Sequence, residues 1–334
     1  MAVIATGFFD GVHSGHRLVI DTLLSEARAR GEESVVVTFW PHPRVTLQKD
    51  AESLKLLTSR PVKEAMLRRM GVDRLETIEF SMDFASLSAL DYIRMLRDGY
   101  GCTTLVLGYD TRFGSEQLGP QAIADLALSE GLASVIVPPV CAPDSSAPIS
   151  STLIRAALEE GDTLLAASYL GRPYSIEGTV VSGNHLGRTL GFPTANMAIE
   201  EPLLLIPRSG VYSSTVFMKQ CFREEQSIQK ALPPVAWNGR GPRSGRGSEA
   251  TLSEWTAPEE NVVSFKAMTN VGTRPTVGGS DKLTVETHLF DFDREIYGER
   301  ITVCFHERIR DERRFPSLDA LRAQLRADAA IIRG

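Results

Sequence analysis

The chain has 334 residues, 43% of them hydrophobic and 23% charged, with a formal net charge of −6. That length predicts two or three domains of an ordinary globular protein, and no apolar run approaches the length of a membrane span. The charge is uneven: residues 1–170 carry 15 Lys+Arg against 22 Asp+Glu, and residues 171–334 carry 21 against 20, so the acidic first half is a poor platform for nucleic acid. The sequence opens directly in strand-like residues, leaving no room for a signal peptide. Four scattered cysteines (Cys102, Cys141, Cys221, Cys304) lack metal-ligand spacing and read as reduced thiols. Both features predict a cytoplasmic protein.

Residues 2–6 are an apolar run of strand character, and residues 17–24 have the apolar spacing of a helix. Between them lies Gly7-Phe8-Phe9-Asp10-Gly11-Val12-His13-Ser14-Gly15-His16. This is a strand-to-helix turn, where backbone N–H groups and the helix dipole favour an anion. Gly11 and Gly15 allow close backbone approach. His13 and His16 can donate hydrogen bonds to phosphate oxygens while neutral at rest. A helix cap with two surface histidines is the simpler alternative, but the strand before and the helix after favour phosphate binding. His-x-Gly-His after a first strand resembles the nucleotidylyltransferase signature, whose histidines stabilise the α-phosphate of a nucleoside triphosphate while another phosphate attacks it.

Residues 34–39 read as a second buried strand, stopped by Trp40-Pro41-His42-Pro43-Arg44. Residues 75–78 give a third strand and 87–96 a helix. Residues 104–107 give another strand, running into Gly108-Tyr109-Asp110-Thr111-Arg112-Phe113-Gly114. A helix near 120–130 and a strand at 134–137 follow. Such alternation predicts a parallel sheet covered on both faces, with ligands at the carboxyl ends of the strands. The loops carrying His13, His42 and Asp110 fall on that edge. Next, Ser150, Ser151 and Thr152 place three hydroxyls at a helix start, with Arg155 about one turn in. Alone this is capping plus a surface arginine. Beside the histidine motif it resembles the second signature of the same superfamily, which closes over the triphosphate.

Four motifs in this order, Phe9-Asp10-Gly11-Val12-His13-x-Gly15-His16, Phe39-x-Pro41-His42-Pro43-Arg44, Gly108-Tyr109-Asp110-x-Arg112-Phe113-Gly114 and Ile149-Ser150-Ser151-Thr152-x-Ile154-Arg155, resemble the prokaryotic bifunctional riboflavin kinase/FAD synthetase family. The resemblance implies an FMN adenylyltransferase domain over residues 1–170, an α/β nucleotidylyltransferase-like domain with a Rossmann-like parallel sheet. In it His13 and His16 are catalytic, and Asp10, Gly11, Gly15, Ser150, Ser151, Thr152 and Arg155 bind ATP phosphates. Asp110 binds flavin. Phe8 stands where the family usually has a small or polar residue, and Thr111 where it usually has phenylalanine.

Gly161-Asp162 closes a helix, residues 164–170 form one more, and Gly171-Arg172-Pro173 breaks the pattern, placing a domain boundary there. Residues 174–182 alternate like a half-exposed strand. Further strand-like runs at 210–217, 265–271, 283–290 and 301–305, with no helices between them, predict a small antiparallel barrel. An amphipathic helix at 318–332 is expected to pack on it. The glycine-rich segment 183–196 can wrap a di- or triphosphate with its N–H groups. Thr194 and Asn196 offer neutral oxygens suited to Mg²⁺ beside phosphate. In the strand around Thr284-Val285-Glu286-Thr287-His288-Leu289-Phe290, alternation puts Glu286, His288 and Phe290 on one face. A carboxylate there suits acceptance of an alcohol proton during phosphoryl transfer.

The run Gly187-Arg188-x-x-Gly191-Phe192-Pro193-Thr194-Ala195-Asn196 resembles the riboflavin kinase signature closely, and Gly272-Thr273-Arg274-Pro275-Thr276 matches the family as well. The resemblance implies that residues 171–334 are a riboflavin kinase domain. Gly183, Gly187, Arg188, Pro193, Thr194 and Asn196 then bind ATP, with Thr194 and Asn196 on the metal. Arg274 binds flavin, and Glu286 is the base toward the ribityl 5′-hydroxyl. His185 and His288 are expected as surface or packing histidines. The expected activity is phosphorylation of riboflavin to FMN, then adenylylation of FMN to FAD with release of pyrophosphate. Partners are riboflavin, FMN and ATP, without nucleic acid or membrane. The alternatives are retention of only one activity (Thr111 being the local reason), adenylylation of another phosphorylated substrate, and an inactive flavin-binding sensor.

Residues 223–261 fit neither domain. Their centre, residues 238–248, is poor in apolar residues and rich in Gly, Ser and Arg, and cannot bury enough surface to offset its ordering entropy. A disordered surface insertion is expected, with Arg240, Arg243 and Arg246 too few for nucleic-acid binding.

Overall fold

A computed structural model describes residues 1–47, 53–142, 146–183, 186–219, 262–275 and 281–334. The segment 223–261, His185 and Thr276 lie outside the described residues. The chain divides into two compact units, Met1–Ser151 and Thr152–Gly334.

The first unit runs β1 (Ala2–Thr6), α1 (Ser14–Arg30), β2 (Glu33–Trp40), α2 (Pro43–Thr46), α3 (Arg60–Arg69), β3 (Arg74–Glu79), α4 (Met82–Ala85), α5 (Ala89–Tyr100), β4 (Cys102–Gly108), α6 (Pro120–Ser129) and β5 (Ala133–Val137). The five strands are parallel, in the order β3-β2-β1-β4-β5. Strand periodicity divides the core in two. Ile4, Val35, Val37, Leu105 and Leu107 pack with Ile93 and Leu96 of α5 and Ile123 of α6. Val3, Ala5, Val36 and Val106 face Ile20 and Leu23 of α1 and Met66 and Leu67 of α3. Because both faces are covered, the central strands read as continuous apolar runs. The connections leave β1 in opposite directions, so the switch point of the sheet lies between β1 and β4, where such folds place ligands.

Helix α3 is absent from the sequence reading. Its sheet-facing stripe is Lys63, Met66 and Leu67, and a lysine at the first of these positions breaks the apolar signal on which periodicity depends.

The second unit opens with α7, whose first residue, Ser151, closes the first unit (Ser151–Glu160), and α8 (Thr163–Leu170). It continues through β6 (Tyr174–Val181), α9 (Leu186–Leu190), β7 (Ala195–Ala198), β8 (Gly210–Lys219), β9 (Val262–Pro275), β10 (Asp281–Leu289), β11 (Arg300–Arg310) and α10 (Leu318–Arg333). The six strands close an antiparallel barrel, in the order β10-β7-β6-β11-β8-β9. Tyr174, Ile176 and Val180 alternate inward along β6. Helix α10 lays Ala329 and Ile332 against Val211, Met268 and Phe290. Its Asp328 is fully buried, pairs with Arg310 at 2.7 Å and accepts from Gln324 at 2.6 Å. The glycine-rich segment is less of a loop than its composition suggests. It holds the short helix α9, and its end is strand β7, which bridges β6 and β10. Four residues after a proline carry too little pattern to read as a strand, but both neighbours pair with them.

Among the described residues, no helix is long and apolar enough to cross a membrane.

Candidate active sites

In the first unit the chain leaves β1 at the switch point and turns sharply into α1. Phe9, Gly11 and Val12 take positive φ angles of 55°, 80° and 41°, and such a φ at a β-branched residue is strained. Burial of Phe9 and Val12 holds the turn from inside. Asp10 ties it to the segment before α3: its buried carboxylate accepts from the backbone N–H of Leu57 (3.0 Å) and Thr58 (3.1 Å) and from the Thr58 hydroxyl (3.2 Å). Thr58 also accepts from Gly11 N at 3.1 Å. Asp10 is thus committed to protein donors that shape the loop. Thr58 was not foreseen, since a lone threonine 48 residues away carries no motif.

The turn delivers the two histidines to the first turn of α1. His13 is the N-cap, and its Nδ1 accepts from His16 N at 3.3 Å. A nitrogen that accepts carries no proton, so neutral His13 is protonated on Nε2. The two imidazoles stack with centroids 3.6 Å apart and planes at 16°. Burial, then the neighbouring His13 and Lys63, push the His16 pKa well below the ordinary value. His16 Nδ1 is buried without a hydrogen-bond partner, a cost of the order of 1–3 kcal/mol that an incoming polar group relieves. Gly15 lies against this pair: a Cβ there would sit 3.2 Å from His13 Cε1 and Nδ1. Ser151 Oγ donates to Asp10 O at 3.0 Å, tying the start of α7 to the same loop. Ser150 is half-buried beside it, and Asp110 is exposed after β4. Thr111 N closes that turn on Gly108 O at 3.1 Å. Thr152 (exposed) and Arg155 (half-buried) belong to the second compact unit. Phe8, one of the departures from the family pattern, lies over the ammonium of Lys63, with Nζ 3.9 Å from the ring centroid.

In the second unit, strand register brings the separated motifs together. Glu286 of β10 lies opposite Asn196 of β7 on one side and Asn270 of β9 on the other. Directly paired residues share a face, so the carboxylate is flanked by two amides. Inward positions Val285, Thr287 and Leu289 are buried while Glu286 and His288 are half-buried, as alternation requires. Asn270 was not foreseen because nothing in its own strand marks it. Gly183 and Gly187 leave room for the metal-type oxygens. A Cβ on Gly183 would overlap the Asn196 side-chain amide, and one on Gly187 would overlap Phe192 O and lie 3.3 Å from Thr194 Oγ1. Phe192 N closes on Gly187 O at 2.8 Å. Arg274 sits on β9 opposite Lys282, and Arg188 within α9.

His288 has a definite task. Its Nδ1 donates to Pro193 O at 2.8 Å, and its ring meets Phe192 and Phe290 edge-on at 5.1 and 5.3 Å. Burial lowers its pKa. The carbonyl can only accept, so the proton is on Nδ1. His288 therefore holds the Phe192-Pro193 segment directly before Thr194. The hydroxyl of Thr194, the amide oxygen of Asn196 and the carboxylate of Glu286 are hard oxygen donors of the kind that share Mg²⁺ with phosphates, and the absence of a Cβ at Gly183 and Gly187 lets Asn196 and the Phe192-Thr194 segment lie close against them.

Two family models match in tandem: FAD synthetase over residues 1–153 and riboflavin kinase over residues 170–334. Three relatives are described as bifunctional riboflavin kinase/FMN adenylyltransferase. That of Escherichia coli is 34% identical over 98% of this chain and 90% of its own length. That of Pseudomonas fluorescens is 33% identical over 99% and 92%, and that of Bacillus subtilis 31% over 98% and 90%. A solved structure from Streptococcus pneumoniae, described as a macrolide-efflux protein, is 30% identical, with a TM-score of 0.79 over 100% of this chain and 94% of that one. Two tandem matches and near-complete overlap with these relatives agree with the parallel sheet and the barrel just described, and the chain belongs to the bifunctional riboflavin kinase/FMN adenylyltransferase family.

Proposed function

We infer that this chain converts riboflavin to FMN with ATP and then FMN to FAD with ATP, releasing pyrophosphate. The observation that carries the reading is the pairing of two family matches with two sets of motif residues: the histidine turn with Ser150 and Ser151 in the first compact unit, and the 183–196 segment with Glu286 in the second. We assign adenylylation to residues 1–170 and phosphorylation to residues 171–334, in the cytoplasm.

In phosphorylation, Glu286 accepts the proton of the ribityl 5′-hydroxyl as that oxygen attacks the γ-phosphorus of ATP and ADP leaves. Asn196 and Asn270, opposite it in register, orient the carboxylate. Gly183, Gly187, Arg188 and Pro193 shape the nucleotide segment. Thr194 and Asn196 are the residues that would hold Mg²⁺, which when bound supplies neutralisation of phosphate charge. Arg274 serves the flavin side.

In adenylylation, a phosphate oxygen of FMN attacks the α-phosphorus of ATP. The P–O bond to the β-phosphate breaks, and both electrons leave with pyrophosphate. No protein nucleophile takes part. His13, through Nε2–H, and His16 donate to the oxygens on which charge builds. Gly11, Gly15, Ser150, Ser151, Thr152 and Arg155 accommodate the remaining phosphates, Asp10 fixes the loop, and Asp110 lies on the flavin side.

A chromatographic time course with riboflavin, ATP and Mg²⁺ tests this. FMN should appear first and FAD second. Glu286→Gln should stop FMN formation while FMN supplied directly is still adenylylated. FMN without FAD would remove the second activity, and bound flavin without turnover would leave only the sensor reading.

A further inference from the structure

Lys63 is a buried titratable group that neither reaction as described above uses. It stands in the sheet-facing stripe of α3 and is 1% exposed. Its Nζ donates to Phe8 O at 3.0 Å and to Phe39 O at 3.2 Å. It also lies 3.9 Å from the ring centroid of Phe8 and 5.7 Å from that of Trp40. Phe8 belongs to the loop that carries His13, and Phe39 to the carboxyl end of β2. One ammonium therefore ties together two adjacent strand ends on the edge where the histidine pair sits. Its acceptors are carbonyls, so the positive charge is not cancelled at contact.

The groups around it are few. Asp10 on the loop and Glu64 on its own helix favour the charged form, Arg60 opposes it, and burial opposes it most, bringing its pKa down to about 8. Lys63 in turn depresses His16 on α1, so its charge is felt at that histidine.

We propose that Lys63 is a positioning residue for adenylyl transfer: its ammonium pins the Phe8 loop to β2 and sets a positive charge behind His13 and His16. It acts through the loop and makes no contact with substrate. The inference rests on the adenylyl-transfer activity proposed above. Charge-assisted hydrogen bonds are roughly twice as strong as neutral ones, so loss of the Lys63 proton loosens the loop and removes the field together.

The test measures both half-reactions of the full chain separately from pH 6.5 to 9.5, supplying riboflavin for one and FMN for the other, with Mg-ATP. Wild-type adenylylation should fall through a midpoint near 8, approaching a tenfold loss per pH unit above it, while phosphorylation does not share that midpoint. Lys63→Met should lower the kcat of adenylylation at pH 7 about tenfold or more, abolish the midpoint and leave phosphorylation within about twofold. A wild-type profile that stays flat to pH 9.5, or a midpoint that survives in Lys63→Met, overturns the proposal. If Lys63→Met does not fold, the wild-type profile decides by the same criterion. Wild-type protein that forms no FAD at any pH overturns the underlying activity instead, so the two failures are distinct.

Discussion

Gly15 shows how closely single residues are fitted around the histidine pair. Its φ is ordinary, and what requires glycine is the imidazole of His13, 3.2 Å from where a Cβ would stand. Gly15→Ala should push that ring off the His16 stack and reduce adenylylation about 10- to 100-fold, as misplacement of about 1 Å does elsewhere. Phosphorylation, measured on the same preparation, should be unchanged. Asp10 makes the complementary case. Asp10→Ala would leave Leu57 N and Thr58 N without their acceptor in a buried turn, at about 1–3 kcal/mol for each orphaned donor. A urea unfolding curve should show that loss. His288→Ala removes the bond to Pro193 O and two ring contacts from the nucleotide segment. The expected result is a rise of about tenfold in KM for ATP in phosphorylation, with FMN adenylylation untouched.

At the scale of elements, each site depends on a strand edge or a register that sequence-local features do not encode. Asn196, Glu286 and Asn270 lie 90 and 16 residues apart in the chain, yet they form one row because β7 and β9 flank β10. Gly183→Ala would drive a methyl group into the Asn196 amide. It should abolish phosphorylation while far-ultraviolet circular dichroism shows the barrel intact. The Glu286 face was legible beforehand because period-two alternation fixes which residues point outward. Asn270 was not, because a cross-strand partner is named only by the register. Helix α3 was missed for a related reason. Lys63 occupies a core position on it, and a pattern reading counts lysine as exposed, whereas here the ammonium finds two carbonyls at a sheet edge.

For the whole molecule, buried bases set how stability varies with pH. Burial brings His306 down to about 4, with Nε2 2.8 Å from the Thr215 hydroxyl. The unfolded chain takes up that proton near pH 6.5, and the folded chain does so only near 4. Between those values the unfolded state binds more protons, so stability falls as pH falls, by about 3 kcal/mol for a gap of this size. His16 acts in the same direction. Lys63 has the opposite consequence at the alkaline end. From about 8 up to the ordinary lysine value, the folded chain has released a proton that the unfolded chain keeps, so this group adds stability as pH rises. Unfolding transitions measured at pH 4, 5, 7 and 9 should therefore weaken toward acid. They should not weaken through Lys63 toward alkali, even where adenylylation declines. His306→Gln should flatten the acid limb.

By itself the sequence determined the family, both architectures and the motif residues. Those signals are local: apolar runs, alternation, glycines, and paired histidines at a strand end. Only the tertiary structure decided what the motifs touch. It turned Asp10 inward to Thr58 and made His288 the support of Pro193. It put Asn270 beside Glu286 and placed a lysine beneath Phe8. Each is a contact between residues distant in the chain, and such contacts are set by sheet order, register and burial, which no single stretch of sequence contains.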